Sequence, residues 1–204
     1  MLELRGATYR YPGYAKEVLV GIDLVVGDGE IVGLVGPNEA GKSTLCLVAS
    51  GLAPASIGGQ LTGTLAIDGE SMADRTTHEL AERVVVCFQN PNTQRSGIAA
   101  TVFEEIALGP MNLGLPVEEI VERTREAIAL LRLDPIALRD PSRLSGGQAQ
   151  LVGIASLLAM RPGRRHLLWR IPDSGAQLAA RAFALLALLA AIVLRATGNL
   201  AGLP

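Results

Sequence analysis

The chain has 204 residues, a length that suits one domain with a sizeable core. Hydrophobic residues make up 49% and aromatic residues only 3%, so we expect an aliphatic core, as in parallel α/β folds whose strands are buried on both faces. The net charge is −2 and no block of Lys and Arg stands out, which argues against a nucleic-acid partner, and the glycines follow no repeat period, which excludes a fibrous protein.

The N-terminal part of the chain predicts strands followed by one helix. Alternating side chains predict two strands, Leu2–Tyr11 and Val18–Val26, joined by a turn at Pro12-Gly13. The β-branched run Ile31–Gly36 predicts a third strand, and the sequence GKSTLCLVAS that follows it has helical character. Strand, glycine-rich loop and helix is the order that a phosphate-binding site requires.

The loop between that strand and that helix, GPNEAGKST, matches the pattern G-x-x-x-x-G-K-[ST]. Glycines at both ends permit close approach of the backbone, so that successive N–H groups can form an anion nest at the start of the helix. The lysine would contact the β- and γ-phosphates, and the first hydroxyl after it would bind Mg²⁺. The alternative is a glycine-rich turn beside an exposed lysine, which the flanking strand and helix disfavour. The predicted nucleotide contacts in this loop are Gly36, Pro37, Asn38, Glu39, Ala40, Gly41, Lys42, Ser43 and Thr44.

The middle of the chain continues the α/β pattern and then becomes helical. We predict a strand at Thr64–Ile67, a short helix at Thr77–Arg83 and a buried strand at Val84–Phe88. Helical spacing with charges at i, i+4 then predicts two helices, Thr101–Asn112 and Val117–Leu133.

A third helix is predicted at Gly146–Met160, which completes a helical segment from residue 89 to residue 162. We interpret the chain as a single domain, 1–204, whose α/β core comprises 1–88 and 163–204. The helical lobe, 89–162, is inserted into that core.

A second motif, LSGGQ, opens the last of these helices. Ser145 can cap the helix, and Gly146 and Gly147 leave backbone N–H groups uncovered, so that these residues and Gln148 can grip a second anion. Alone, a Ser-Gly-Gly sequence is as often a simple turn as an anion-binding site. Paired with a phosphate loop about a hundred residues earlier, it is far more specific.

The two motifs together resemble an ATP-binding cassette (ABC) ATPase, a P-loop NTPase with a mixed sheet and an inserted helical lobe, in which LSGGQ is the signature. The resemblance implies ATP and Mg²⁺ as ligands, with the signature acting on a partner's ATP. Tyr11 matches the aromatic residue that stacks on adenine, although a strand aromatic packed on the core is the alternative. Gln89 matches the Q-loop glutamine that touches Mg²⁺ and the attacking water, and the alternative for it is a solvated loop amide. Ser43 and Gln89 are therefore the implied metal contacts.

A narrower resemblance rests on FQNPNTQ and on TVFEEIALGPMNLGLP, which are similar to energy-coupling-factor transporters that import vitamins and transition-metal ions in prokaryotes. GLAPASIGG also resembles members assigned to cobalt or thiamine-precursor uptake. In that family two ATPase subunits pair with a transmembrane coupling protein and a substrate-binding membrane protein. The resemblance thus implies a homo- or heterodimer at the cytoplasmic face of the plasma membrane, and it covers residues 1–162.

After residue 162 the family's acidic residues are missing. Members follow the signature helix with a strand ending in Asp-Glu-Pro, whereas HLLWRIP places Arg170 and Ile171 at the two acids. The loop that should end in Leu-Asp reads Gln177-Leu178-Ala179, and the alignment puts Gly198 at the switch histidine. Asp173 is the one nearby acid, and we interpret it as a turn residue.

The missing acids predict that ATP binding survives while turnover at this chain's own loop does not, since loss of a positioned base removes about 10²–10⁴ in rate. Three explanations stay open: a frameshifted or truncated chain, an evolved subunit that lends its signature to a competent partner, and an incorrect alignment. The rival functions are a soluble ABC ATPase of repair or translation, disfavoured by the absence of tandem domains and long arms, and a nucleotide-dependent binding module without catalysis.

Three further features concern the compartment. Cys46 and Cys87 lie in apolar surroundings, as two buried thiols in a reducing compartment would. The N-terminus lacks a charged-then-apolar signal pattern, so we expect a cytosolic chain. The apolar run Ala182–Leu194 is shorter than the about 20 residues that a membrane span needs, and we interpret it as a buried helix.

Overall fold

The computed structural model describes residues 1–27, 30, 32–34, 36–81, 83–88, 90 and 93–161, together with the backbone of 166–169. Among the predicted site residues, Gln89 lies outside this description. The residues at the missing family acids, Arg170 and Ile171, also lie outside it, as do Asp173, 177–179, Gly198 and the apolar run 182–194.

Four antiparallel strands form the first sheet, in the order β2-β1-β3-β4. They are β1 (Leu2–Arg10), β2 (Leu19–Val26), β3 (Gln60–Ile67) and β4 (Glu70–Ser71). Alternation along β1 places Leu2 and Leu4 in the core, and after a register shift between Leu4 and Ala7 it places Ala7 and Tyr9 there, each no more than 1% exposed. The first two predicted strands are confirmed within a residue, and the strand predicted at Thr64 begins four residues earlier, at Gln60.

A second sheet pairs two strands in parallel, β5 (Val84–Cys87) and β6 (His166–Trp169). Val84 aligns with His166 and Cys87 with Trp169. The strand predicted at Val84–Phe88 is therefore confirmed, although it ends one residue earlier, and HLLW forms the strand that follows the signature helix.

The strand predicted at Ile31–Gly36 is not formed by the residues described there. Val32, Gly33 and Leu34 have no strand structure, and Val32 and Leu34 remain 42% and 47% exposed. A β-branched run favours extended backbone, but a strand also needs a neighbour to pair with. Neither of the two sheets in the described part of the chain includes these residues.

Three short helices lie in the N-terminal half: α1 (Lys42–Ala49), α2 (Leu52–Ala55) and α3 (Thr77–Ala81). Helix α1 confirms the helix predicted after the glycine loop. Its face toward the first sheet buries Leu45, Val48 and Ala49, which join the core of β1 and β3. Cys46 on the same helix is only half-buried, so the expectation of two buried thiols is wrong for this residue because α1 turns it away from that face.

Three longer helices pack on one another: α4 (Val102–Asn112), α5 (Val117–Leu130) and α6 (Gly146–Met160). Helix α6 has the predicted bounds, whereas α5 ends three residues earlier than predicted. Their shared core includes Val102, Ile106, Ile128 and Val152, each at most 4% exposed. Gly109 lets α4 approach α6, because a Cβ there would lie 2.7 Å from Met160 Cγ.

The chain thus has mixed α/β structure, as predicted, with one core under the first sheet and another among the three longer helices. The boundaries assigned to the inserted lobe remain a prediction. No helix in the described part of the chain is long and apolar enough to span a membrane.

Candidate functional site

The predicted phosphate loop ends against the start of β2, and glycine is required at that contact. Gly41 caps α1 with φ 83°, in the left-handed region that disfavours residues with a Cβ. A Cβ on Gly41 would lie 3.1 Å from the carbonyl oxygen of Val18 and 3.1 Å from Leu19 Cδ2. The first helical bond, from Leu45 N–H to Gly41 O at 2.8 Å, follows directly. The loop is therefore pressed onto the strand as the helix begins.

The end of this loop lines an open cavity of about 290 Å³. The lining residues are Val18, Glu39, Ala40, Gly41, Lys42, Ser43 and Thr44. Gly36, Pro37 and Asn38 lie outside the lining, so the structure brings together the C-terminal six of the nine predicted loop residues. This volume lies at the lower end of the range for small-molecule pockets, about 300–1,000 Å³.

Two features of the cavity favour an anion, although the acidic residue Glu39 also lines it. The N-terminus of helix α1 lies at the cavity, where its first-turn N–H groups have no acceptor within the helix, and no acidic residue lies in its first turn. Lys42 Nζ donates hydrogen bonds to the carbonyl oxygens of Gly36, at 3.0 Å, and Pro37, at 2.7 Å. The ammonium group is thus held within the loop by neutral acceptors, for which a phosphate oxygen would be a stronger substitute.

Tyr11 packs on the core and also forms a hydrogen bond to the phosphate loop. Its hydroxyl lies 3.1 Å from Thr44 Oγ1, and its half-buried ring packs against the N-terminal core. The ring of Tyr9 meets it edge-on, with centroids 5.0 Å apart. Tyr14, which the sequence did not single out, lies 6.4 Å from Tyr11 between centroids and is 70% exposed.

The signature begins α6, where Ser145 caps the helix as predicted and Gln148 forms the reciprocal bond of a capping box. Ser145 Oγ accepts from the Gln148 N–H at 3.4 Å, and the Ser145 N–H donates to Gln148 Oε1 at 3.1 Å. Gly146 and Gly147 are exposed, and a Cβ at either would have no neighbour within 4 Å among the described residues. None of these four residues lines the cavity at the phosphate loop. The structure therefore presents two separate N–H surfaces, each at the start of a helix.

A side-chain amide that the sequence analysis missed joins the end of β5 to the signature helix. Gln94 Oε1 accepts from the Phe88 N–H at 3.2 Å, and Gln94 Nε2 donates to Gly153 O, also at 3.2 Å. Nearby, the buried carboxylate of Glu105 accepts from Ser96 N at 2.7 Å and from Ser96 Oγ at 2.8 Å. No periodicity marks either residue, because their partners come from other elements.

The described residues contain no group of three or more His, Cys, Asp or Glu side chains that could hold a metal ion. This does not conflict with the predicted Mg²⁺, which keeps several waters and binds through one or two protein oxygens plus substrate phosphates. Ser43, the residue predicted to bind Mg²⁺ through its hydroxyl, lines the cavity.

The chain is similar to known ABC transporter proteins. Residues 19–164 match the family model described as ABC transporter. A putative ABC transporter ATP-binding protein of Pyrococcus horikoshii is 38% identical over 162 residues, which cover 79% of this chain and 56% of that protein. The cobalt import ATP-binding protein CbiO of Syntrophus aciditrophicus is 38% identical over 175 residues, covering 85% and 59%.

The energy-coupling factor transporter ATP-binding protein EcfA of Methanothermobacter thermautotrophicus is 43% identical over 166 residues, covering 79% of this chain and 50% of that protein. The matched part of the chain spans 50–59% of the length of these relatives. Among solved structures, CbiO1 of Clostridium perfringens, part of the ABC transporter complex cbiONQ, has a TM-score of 0.75 at 25% identity, covering 93% of this chain and 73% of that one. The ATP-binding cassette MJ0796, a dimer bound to ADP and phosphate, has a TM-score of 0.74 at 26% identity, covering 93% and 83%.

Proposed function

The chain belongs to the ABC transporter family, with the fold of its P-loop ATPase cassettes, and from this premise we propose that it is the ATP-binding subunit of an energy-coupling-factor importer. One observation carries the proposal: a single chain presents a glycine-capped cavity at Lys42 and an open LSGGQ helix start at Ser145. The relatives named for cobalt import and for energy coupling support this subfamily. The cargo would be a vitamin or a transition-metal ion.

The cavity would bind the triphosphate of ATP through its backbone. N–H groups at the start of α1 donate to the phosphate oxygens, and Lys42 exchanges its carbonyl acceptors for the β- and γ-phosphates. Ser43 would hold Mg²⁺, which when bound neutralises charge between those phosphates. Tyr11 would position the base end of the ligand. Gln89 would contact the metal and the water, as the resemblance implies.

The signature would act on another subunit's nucleotide. Because Ser145, Gly146 and Gly147 are exposed and lie outside the cavity, a second cassette could place its own bound ATP against them. Dimeric neighbours such as the cassette MJ0796 support such pairing. The remaining partners would be a transmembrane coupling protein and a substrate-binding membrane protein, which would hold the chain at the cytoplasmic face of the plasma membrane.

A second candidate function is nucleotide binding without hydrolysis at this chain's own loop. Strand β6 ends at Trp169, and the sequence continues with Arg170 and Ile171 where family members carry their two acids. An arginine at the position of the metal-binding acid would repel a metal ion, and an isoleucine at the position of the second acid would supply no carboxylate to polarise the attacking water. The chain would then serve a catalytic partner through its signature.

Purification from the host's membranes tests the importer proposal. The tagged chain, extracted in mild detergent, should bring down a second ABC ATPase subunit and membrane-spanning proteins. Recovery of the chain alone, still able to bind MgATP, would favour a nucleotide-dependent binding module instead.

ATPase assays on the recovered pair separate the two candidate functions. If this chain hydrolyses ATP, Lys42→Ala should abolish the part of the activity that depends on its own loop. If it only lends its signature, activity should survive Lys42→Ala and disappear with Ser145→Arg, which places a bulky cation on the exposed helix start. Loss with Lys42→Ala and survival with Ser145→Arg would exclude the signature-lending role.

A further inference from the structure

The connection between β1 and β2 is tied to the first turn of α1 by two hydroxyl groups. Tyr11 OH and Thr44 Oγ1 lie 3.1 Å apart, and either can be the donor. The two residues are 33 positions apart in sequence. Thr44 is 5% exposed, so water has little access to compete for this bond. The contact therefore fixes the start of α1 against the loop that follows β1.

The tyrosine side of this contact is held in place by its surroundings. Tyr9 is fully buried, its hydroxyl donates to Gly58 O at 2.6 Å, and its ring abuts that of Tyr11. The carbonyl of Tyr11 accepts from the Tyr14 N–H at 3.3 Å, which closes a turn directly after it. Both the ring and the backbone of Tyr11 are thus restrained, and its hydroxyl offers Thr44 a fixed anchor.

The threonine side leads directly to the cavity. Thr44 is the third residue of α1, and its backbone N–H belongs to the first turn, whose N–H groups have no acceptor within the helix. Thr44 also lines the cavity. A bond that fixes the side chain of Thr44 would therefore also restrain those N–H groups before any ligand arrives.

We propose that Tyr11 is a positioning residue for the phosphate loop, which acts through its hydroxyl on Thr44 and independently of any contact between its ring and the base. This inference rests on the proposed nucleotide function. It adds to the expected adenine stacking a second role, one that a ligand without a base would also detect. Removing the hydroxyl while keeping the ring should weaken the binding of phosphate chains in general.

The test compares MgATP with magnesium tripolyphosphate as ligands of the purified chain, by calorimetry. Tyr11→Phe should weaken both ligands by the same factor, about five-fold, the change expected for loss of one neutral hydrogen bond. Tyr14→Phe makes the same chemical change on an exposed ring nearby and should change neither affinity. Thr44→Val removes the other hydroxyl of the same hydrogen bond. The double variant Tyr11→Phe, Thr44→Val should therefore bind both ligands as Thr44→Val does, since the bond is already absent.

Equal affinities for Tyr11→Phe and the wild-type chain would overturn the inference, as would a loss confined to MgATP, which would assign Tyr11 to the base alone. A lower melting temperature with unchanged affinity would make the bond merely structural and would also overturn it. Failure of the wild-type chain to bind either ligand would instead contradict the proposed nucleotide function on which the inference rests. These outcomes are therefore distinguishable.

Discussion

Replacing Gly41 by alanine tests whether the loop is pressed onto β2 as the structure shows. Gly41 has φ 83°, where a residue with a Cβ costs about 1 kcal/mol or more. Its Cβ would also lie 3.1 Å from Val18 O, a backbone atom that cannot rotate away. Shifting that contact should cost a further 1 kcal/mol or so, as overpacking does. We expect Gly41→Ala to lower the free energy of unfolding by about 2–3 kcal/mol.

Gly13→Ala is the matched control, because the two glycines share a backbone conformation but differ in their surroundings. Gly13 has φ 75°, and a Cβ there meets no described atom within 4 Å. Gly13→Ala should therefore cost only the conformational part, about 1 kcal/mol. Urea denaturation of both variants and the wild-type chain gives the difference directly, provided that the slopes agree.

Equal losses in the two variants would refute the reasoning, because they would mean that Gly41 has no close neighbour and that the loop lies free of Val18. A Gly41→Ala variant that loses the expected stability should also bind MgATP more weakly, since the alanine displaces the start of α1 from the cavity. Normal stability together with impaired binding would instead assign Gly41 to the ligand alone.

Three other predictions follow from single residues. The hydrogen bond from the Thr76 N–H, and after it the one from the Thr76 hydroxyl, lowers the pKa of Glu79 from 4.5 to about 2, so the linked stability should be present above pH 4.5 and lost as pH falls toward 2. Thr76→Ala removes the hydroxyl and should raise the pKa of Glu79 part of the way in an NMR titration, and an unchanged pKa would contradict the assignment. Burial raises the pKa of the Cys87 thiol to about 11, so a thiol reagent at pH 8 should modify the half-buried Cys46 first and reach Cys87 only on unfolding, and equal rates would be inconsistent with its burial. Ser145→Ala removes a helix cap and should lower the free energy of unfolding by about 1 kcal/mol in urea denaturation without changing MgATP affinity at the chain's own loop, whereas a large loss of affinity would mean that the two sites are not separate.

The sequence predicts well those features whose signals are local. Helix α6 has the predicted bounds because Ser145 and Gln148 form a cap from residues three apart, and apolar spacing continues to Met160. Alternation places β1 and β2 correctly for the same reason. The need for glycine at position 41 could also be predicted, because the loop pattern requires glycine there.

Features that depend on distant partners were not predictable in this way. The run at Val32 and Leu34 has strand composition, yet a strand forms only if another strand pairs with it. The bonds from Tyr11 to Thr44 and from Gln94 to Gly153 join residues 33 and 59 positions apart, and no spacing rule encodes them. Cys46 illustrates the same limit, since an apolar neighbourhood in sequence does not say which face of a helix is covered.

Calorimetric titration of MgATP into the purified chain, beside Lys42→Ala, tests the central claim most directly. The ammonium of Lys42 donates to loop carbonyls that a phosphate can replace, and a charged hydrogen bond contributes about 1.5–3 kcal/mol, or roughly ten- to a hundred-fold in affinity. We predict saturable binding of one MgATP per chain, weakened by that factor in Lys42→Ala. Absence of binding at millimolar nucleotide, or equal binding by the variant, would contradict the assignment of this cavity to a nucleotide.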